Sequence, residues 1–335
     1  MTCASGPAGW WRRCASLRNA SRTLSTGDCC GRRGTSPGGW APCATPFTTP
    51  ALGDGAHTLE LRAVDAAGNT DATPVSYTWG VDATAPTGSV TAPANGANVS
   101  GTAVALASSS TDTGSGVATV VFERRLGAGA WTATATPWNT TLVADGDYDL
   151  RVTTTDVAGN SFTSAAITVT VDNTAPNLTV FAPTVVNLAS PDPESVTATA
   201  TDDGTGVASV NFEQCSAAND ATCSVDTWTP LGLDTTFPYG VSWPVPTDGT
   251  RLLRVRATDN AGKQTTELAL VTVDRTRPTG TVDAPAAGAN LRGTSVALAA
   301  TAGDTAPGTV NTVTFQTSPA GADTWTGVST DSAAP

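Results

Sequence analysis

The chain has few charged side chains, a single histidine and no long apolar segment. Charged residues make up 14% of its 335 residues, and no run approaches the ~18 consecutive apolar residues of a membrane-spanning helix. A lone histidine also leaves too few ligands for a His-based zinc site. The abundant Thr, Ala, Val, Gly, Pro and Ser instead suit strands and turns. The sequence therefore predicts an all-β protein with no membrane insertion in this segment.

Positive charge is also scarce. Seventeen Lys and Arg stand against 29 Asp and Glu, which gives a formal net charge of −12. This balance argues against nucleic acid and anionic membranes as partners and is compatible with cations. The residues after Met1 lack a basic segment followed by a continuous apolar run, so we expect the export signal not to be present in this chain.

An internal repeat organises the chain. The segments "VDATAP", "VDNTAP" and "VDRTRP" mark joints between modules, and their Asp82, Asp172 and Asp274 are 90 and 102 residues apart. Residues 1–38 show no alternation of apolar and polar residues and are rich in Arg, Cys and Trp. We therefore expect them to be disordered or translated out of frame. The predicted modules are 39–82 (partial), 83–172, 173–274 and 275–335 (truncated), and we interpret the whole as a fragment.

Each module repeats the same strand and turn signals. A "DG" pair precedes the Asp of a "D-x-A-G" motif by eleven residues, with apolar residues alternating in between, as in Tyr148, Leu150 and Val152. A second alternating run follows, so the two runs predict a hairpin whose turn glycine takes a positive φ. About seven short strands fit into a full module, which is the size of an immunoglobulin-like sandwich.

The segments "DGAHTLELRAVDAAGNTDATPVSYTWGVDATAP", from Asp54, and "VADGDYDLRVTTTDVAGNSFTSAAITVTVDNTAP", from Val143, resemble the tandem bacterial Ig-like repeats of secreted and cell-surface proteins. The resemblance covers roughly residues 40 to 335. It implies an all-β fold of tandem immunoglobulin-like β-sandwich modules in a linear array. Such sandwiches host many roles, so the resemblance indicates the fold far better than the function.

The single histidine is a poor candidate for catalysis. His57 lies three residues after the Asp of its "DG" pair, and Tyr148 and Arg251 hold the same register in the next two modules. A position that accepts His, Tyr and Arg is typical of a strand, and no nucleophile with an orienting carboxylate is evident beside it. We therefore predict that this segment is not an enzyme.

One tryptophan recurs after a Gly- or Asp-rich turn in three modules, as Trp131, Trp228 and Trp325. Exposed tryptophan stacks on sugar rings in many binding modules, but recurrence in every copy favours a packing residue at a hairpin.

Seven cysteines indicate an oxidising compartment more than a metal site. Cys215 and Cys223 bracket an insertion in the third module, and we predict a disulfide between them. We expect Cys43 to pair with Cys29 or Cys30. The odd count leaves one thiol without a partner.

Acidic loops form the one candidate site. In an Ig-like sandwich, the joint, the B–C loop and the F–G turn lie at one end, so each full module gathers three carboxylates. With loop carbonyls these can supply the six to eight or so oxygens that calcium requires. Asp, Asn, Gly and Ser also suit tight turns that bind no metal, and Lys263 adds a cation beside the second site. The proposed ligands are Asp82, Asp112 and Asp156, and then Asp172, Asp202 (or Asp203) and Asp259.

These features predict a non-catalytic structural or adhesive region, a stalk or adhesin array, of an extracellular or cell-surface bacterial protein. The alternative is the accessory spacer of a secreted depolymerase, or a region of it that contacts polysaccharide. The expected partners are a cell-surface protein or a polysaccharide, and the expected cofactor is calcium or none.

Overall fold

The computed structural model describes residues 29–33, 41–42, 48–49, 51–65, 67–216, 223 and 228–332. The expected pairing of Cys43 lies outside these residues. The described part is built of short strands, with one 3₁₀ turn at Thr140–Leu142. No helix in these ranges is long and apolar enough to cross a membrane.

The first sheet has four strands in the order β2-β1-β3-β4. These are β1 (Cys29–Arg33), β2 (Ala41–Pro42), β3 (Gly55–Ala63) and β4 (Val75–Val81). Strands β3 and β4 form the hairpin predicted by the alternating apolar residues, with Leu59 opposite Tyr77. The strand β1 lies within the segment expected to have no fold and pairs antiparallel with β3. The rest of residues 1–38 lies outside the described residues.

The second module contains eight strands around one core. These are β5 (Val90–Ala92), β6 (Asn98–Val99), β7 (Ala107–Ser108), β8 (Val117–Leu126), β9 (Thr132–Thr134), β10 (Gly146–Asp156), β11 (Ser161–Thr163) and β12 (Ile167–Val171). One sheet follows the order β6-β12-β10-β8-β9, with β11 on β10, and β5 pairs with β7 separately. Trp138, Tyr148 and Val152 pack in the core between them.

The third module is a sandwich of two sheets, ordered β13-β15-β18 and β14-β20-β19-β16-β17. Its strands are β13 (Asn177–Phe181), β14 (Val185–Val186), β15 (Glu194–Thr201), β16 (Val207–Cys215), β17 (Thr229–Asp234), β18 (Tyr239–Trp243), β19 (Gly249–Asp259) and β20 (Gln264–Val273). Trp243 and Phe212 are fully buried between the sheets, and Trp243 Nε1 donates to Gln214 at 2.8 Å.

The last described strands form two antiparallel pairs, β21 with β22 and β23 with β24. Their bounds are β21 (Thr279–Ala284), β22 (Ala299–Gly303), β23 (Val313–Thr317) and β24 (Thr326–Asp331).

The final strand of each full module pairs with a neighbouring strand on both of its edges, up to the joint. Strand β12 pairs antiparallel with β10 and parallel with β6, and β20 does the same with β19 and β14. The backbone N–H of the joint residue Asp172 continues this pattern by donating to Val99 O at 3.1 Å. The joint aspartate therefore directly follows a strand that is hydrogen-bonded on both edges, and it points toward the next module.

The "D-x-A-G" turns connect β3 to β4, β10 to β11 and β19 to β20. Their glycines, Gly68, Gly159 and Gly262, have φ values of 89°, 98° and 85°. Only glycine adopts this left-handed conformation without steric cost, which confirms the predicted role of these residues.

Candidate metal centre at the module joints

Both predicted sets of aspartates come together in space. Each set combines the residue after the last strand of one module with two residues of the next module. In each set, one carboxylate oxygen from every residue lies within 4.8 Å of the other two. The first set is Asp82, Asp112 and Asp156, and the second is Asp172, Asp202 and Asp259. Asp203, the alternative to Asp202, is not in the cluster.

In the first cluster, backbone amides hold the carboxylates in place. Asp82 Oδ2 accepts from the N–H of Ser115 at 2.7 Å, a bond between two modules. Asp112 Oδ2 accepts from the N–H groups of Gly114 and Gly116 at 3.1 and 2.7 Å. The hydrogen bonds from Ser115 hold the pKa of Asp82 below its usual value.

The second cluster repeats this arrangement with deeper burial. Asp172 Oδ2 accepts from the backbone N–H and the hydroxyl of Thr205 at 2.8 and 2.6 Å. Asp259 Oδ1 accepts from the N–H groups of Ala261 and Lys263, both at 2.8 Å. Asp172 is fully buried, Asp259 is 2% exposed and Asp202 is half-buried, so two of the three carboxylates lie where water screens their charge poorly.

Each cluster contains a buried carboxylate oxygen that has no hydrogen-bond donor within the described residues. These oxygens are Asp112 Oδ1 in the first cluster and Asp259 Oδ2 in the second. Burial raises the pKa of Asp259, and the nearby carboxylates of Asp172 and Asp202 raise it further. In Asp65, the same turn residue of the first module, hydrogen bonds from Asn69 lower the pKa instead. Asp65 is exposed, whereas Asp259 is 2% exposed and lies beside the carboxylates of Asp172 and Asp202.

A second group of aspartates forms hydrogen bonds at the joints, and in the sequence these residues are recognisable only as the Asp of the repeated "DG" pairs. The Asp of each "DG" pair accepts hydrogen bonds from the two residues that follow the joint aspartate. Asp145 accepts from the N–H of Asn173 at 3.0 Å and from the hydroxyl of Thr174 at 2.7 Å. Asp54 and Asp248 make the same pair of bonds at their joints. Each "DG" pair is followed by a "D-x-T" joint in the same module. This joint recurrence is the sequence signal for the hydrogen bonds between them.

The third joint repeats part of the arrangement. The carboxylates of Asp274 and Asp304 both lie beside Gly308, as Asp172 lies beside Gly204. Asp274 Oδ1 is another buried oxygen without a donor in the described part of the chain. Neither Asp274 nor Asp304 is among the ligands predicted from the sequence, although Asp274 occupies the joint position of the repeat.

His57, Tyr148 and Arg251 play one structural role. His57 Nε2 donates to Gly53 O at 2.7 Å, the Tyr148 hydroxyl to Ala144 O at 3.0 Å, and Arg251 Nη2 to Thr247 O at 2.7 Å. Each acceptor is the carbonyl four residues upstream. Three different side chains thus secure the same bend before the strand.

The recurrent tryptophans differ in their surroundings. The guanidinium groups of Arg125 and Arg151 lie over the Trp131 ring, 4.6 and 4.0 Å from its centre. Trp228 is buried with Arg254 over its ring, whereas Trp325 is 65% exposed. The faces of Trp131 and Trp228 are therefore used in contacts within their own modules.

A comparison of the sequence with known protein families agrees with the two-sheet sandwich of the full modules. Residues 85–173 match the family model of the bacterial Ig-like domain. The match coincides with the second module and confirms the resemblance that the repeats suggested. The all-β fold of tandem Ig-like sandwich modules is likewise confirmed.

Several solved structures show similar modules. The fibronectin(III)-like modules of Clostridium thermocellum CbhA are 20% identical, with 56% of this chain and 95% of that chain covered and a TM-score of 0.36. A tetra-tandem repeat from the extending region of a large adhesion protein is 20% identical, with 79% and 71% covered and a TM-score of 0.28. Three N-terminal domains of the bacteriophage RB49 Hoc protein are 10% identical, with 77% and 91% covered and a TM-score of 0.39. No curated protein matches the chain.

The atoms available at the joints determine which metal ions the joints could bind. Each of the two clusters offers three carboxylate oxygens, and among the described residues no histidine or cysteine belongs to either cluster. Hard oxygen donors of this kind suit calcium, which accepts about six to eight oxygens in flexible geometry.

Proposed function

We propose that this chain is a non-catalytic spacer region of an extracellular bacterial protein, whose Ig-like modules are fixed relative to one another by calcium at the joints. One observation carries the proposal: at two joints, three carboxylates from two successive modules lie within 4.8 Å of one another. A cation held there would contact both modules at once.

The electrostatics of the joints support the proposal. Like charges at this separation repel, and their repulsion is strongest where the carboxylates are buried. Asp259 Oδ2 and Asp112 Oδ1 are buried oxygens with an unused lone pair in the described structure. A divalent cation would satisfy these oxygens and cancel the repulsion. It would therefore stabilise the joint against bending.

The remaining candidate groups support a structural role. The single histidine is engaged with the Gly53 carbonyl, and its counterparts in other modules make the same bond. The net charge of −12 favours a cation over an anionic partner. We propose that a cell-surface protein or a polysaccharide is the partner of the array.

Calcium titration of the full chain tests the proposal. Isothermal calorimetry should show binding at about 10⁻⁴ to 10⁻³ M, the range of extracellular modules. Small-angle scattering should show a narrower distribution of chain dimensions in calcium than in chelator. The Asp112→Asn, Asp202→Asn double variant should lose both effects, and magnesium should reproduce them weakly. Scattering that is identical in calcium and chelator would contradict the proposal.

The location and the type of parent protein have a separate test. Sequencing the complete open reading frame should reveal further repeats and a surface anchor. A catalytic domain in the same frame would instead identify these modules as the accessory region of a secreted depolymerase.

A further inference from the structure

One face of the third module differs chemically from the same face of the first two modules. It is the outer face of the sheet that contains β19 and β20. Leu252 on β19 lies directly opposite Leu270 on β20, whereas the next residue, Leu253, lies in the core. Side chains of a strand alternate between its two faces, so Leu252 and Leu270 both lie on the outer face.

In the first two modules, this pair of positions is polar. Thr58 and Thr78 occupy it in the first module, and their hydroxyls are 3.0 Å apart in a hydrogen bond. Asp149 and Thr168 occupy it in the second module, where the Thr168 hydroxyl donates to Asp149 at 3.0 Å. The fold therefore does not require apolar side chains here, and the leucine pair is specific to the third module.

The apolar surface continues from this pair to the edge of the sheet. Leu268 and Leu270 lie on the same side of β20 and are 43% and 49% exposed. Val185, on the neighbouring edge strand β14, is 56% exposed. Leu252, opposite Leu270, is buried in the cluster that contains the disulfide. We call Val185, Leu268 and Leu270 the apolar patch. The second module has smaller or polar residues at the matching positions, which are Asn98, Ala166 and Thr168.

The charge of this outer face also differs between the two full modules. In the second module, β8 and β10 carry two guanidinium groups and three carboxylates there, a net charge of −1, from Arg125, Arg151, Glu123, Asp147 and Asp149. At the same positions, the third module has Arg254, Arg256 and Glu213, a net charge of +1. Both of its guanidinium groups approach Glu213 Oε2, at 2.7 and 3.6 Å. The apolar patch therefore adjoins a local excess of positive charge in a chain of net charge −12.

We infer that the apolar patch and Arg256 form a docking surface for a protein segment whose apolar side chains are flanked by carboxylates. The partner's apolar side chains would bury Val185, Leu268 and Leu270, and one of its carboxylates would pair with Arg256, whose present acceptor is shared with Arg254. The inference rests on the proposed function, because it assigns the protein partner of the array to one face, but it does not require calcium at the joints.

Two other occupants fit this face less well. A second copy of the chain also carries a net charge of −12, so two copies repel each other. A polysaccharide usually stacks on an exposed aromatic ring, whereas the patch is aliphatic. The nearby Trp228 is 8% exposed and lies under the guanidinium of Arg254.

A random peptide library displayed on phage, selected against the full chain, tests the docking surface. The enriched peptides should combine Asp or Glu with large apolar residues. A synthetic copy of the most enriched peptide should bind the full chain in fluorescence anisotropy, and its affinity should fall as salt is added. The titration is made in calcium and in chelator, and the affinity should be the same in both.

Substitutions toward the second module remove the surface without introducing residues that are foreign to the repeat. Leu268→Ala combined with Leu270→Thr should weaken binding of the peptide by about tenfold or more. Arg256→Thr introduces the residue of the second module, Thr153, and should weaken binding by about threefold at low salt and by less at high salt. Val121→Thr is the matched control and should change nothing, since Val121 is 41% exposed but belongs to the second module. Thermal unfolding of each variant checks that the third module is folded.

Each outcome decides for or against the inference. A selection that yields no peptide sensitive to the Leu268→Ala, Leu270→Thr double variant would overturn it. A wild-type dimer in sedimentation that this variant abolishes would assign the face to a second copy, and binding of polygalacturonate that it abolishes would assign the face to a polysaccharide. Both results would overturn the inference. If the peptide binds as expected while the joints ignore calcium, the inference stands and the role of calcium in the proposed function is wrong.

Discussion

A methyl group at Gly114 would lie 2.5 Å from the carboxylate carbon of Asp82. The same close approach recurs one module later, where a methyl group at Gly204 would lie 2.5 Å from Asp172 Oδ2. Real Cβ atoms do not tolerate such contacts. The carboxylate of the joint aspartate can therefore pack against the next module only where that module has a glycine.

Replacing this glycine should displace the joint aspartate. Gly114 does not have a left-handed backbone, so Gly114→Ala introduces no backbone strain. It tests only whether there is room for a side chain beside Asp82. We expect Asp82 to lose its bond from Ser115 and calcium affinity at the first joint to fall by about tenfold, measured by calorimetry. Gly80→Ala is the matched control, since a Cβ there would contact nothing within 4 Å. Equal affinities in the two variants would show that the contact has no role.

Asp259→Asn should have opposite effects in chelator and in calcium. The raised pKa of Asp259 means that its ionised form destabilises the folded state at neutral pH. In chelator at pH 7, the variant should therefore melt higher than the wild type, by about 4 °C if ~1 kcal/mol of repulsion is relieved. In calcium it should melt lower, because a ligand is lost.

The pH dependence of this effect follows from the sign of the pKa shift. The destabilisation is present above the raised pKa and fades as the pH falls toward the unfolded value of about 4. The advantage of Asp259→Asn in chelator should thus disappear near pH 4. Asp65→Asn is the control, since the pKa of Asp65 is lowered and its loss should lower the melting temperature at pH 7. Calorimetric scans between pH 3.5 and 7 measure both, and an advantage that persists at pH 4 would contradict the assignment.

Asp145→Ala should loosen the second joint whether or not calcium is present. Burial alone would raise the pKa of Asp145, but hydrogen bonds from Thr174 and Asn173 outweigh it and hold the pKa below its usual value. Because the side chain is exposed, the loss should be about 1 kcal/mol or less. Hydrogen exchange at residues 172–175 measures the change. Asp147→Ala is the control, since the Asp147 carboxylate accepts from Thr170 within its own module. Equal exchange in the two variants would contradict a role of Asp145 at the joint.

The disulfide of the third module should stabilise that module alone. The sulfurs of Cys215 and Cys223 are 2.19 Å apart, and both residues pack with Trp228 and Leu252 in a cluster separate from the main core. The ring is short, so replacing both cysteines by alanine should cost at most ~2–3 kcal/mol. Thermal unfolding should show the third module melting earlier and the second module unchanged. Two free thiols in a non-reduced digest, after expression under oxidising conditions, would show that the bond does not form.

Local patterns predicted much of this architecture. Alternation in segments such as Tyr148, Leu150 and Val152 indicated the strands, because side chains of a strand point alternately to its two faces. The turn glycines followed from the backbone that a tight hairpin requires. Both aspartate triplets were named from the repeat and from the order of loops in an Ig-like sandwich, and the structure brings their carboxylates together. Calcium binding itself stays a prediction.

The sequence by itself determined the repeat, the strands and the turn residues, since each depends on neighbours within a few positions. Only the tertiary structure decided which polar groups meet. The bonds from Asn173 to Asp145 and from Asn160 to Asp82 join residues 28 and 78 positions apart. The burial of Asp259 likewise arises only when the joint, the loop before β16 and the turn after β19 are assembled. Hydrogen bonds and desolvation depend on distance in space, and a one-dimensional pattern does not contain that distance.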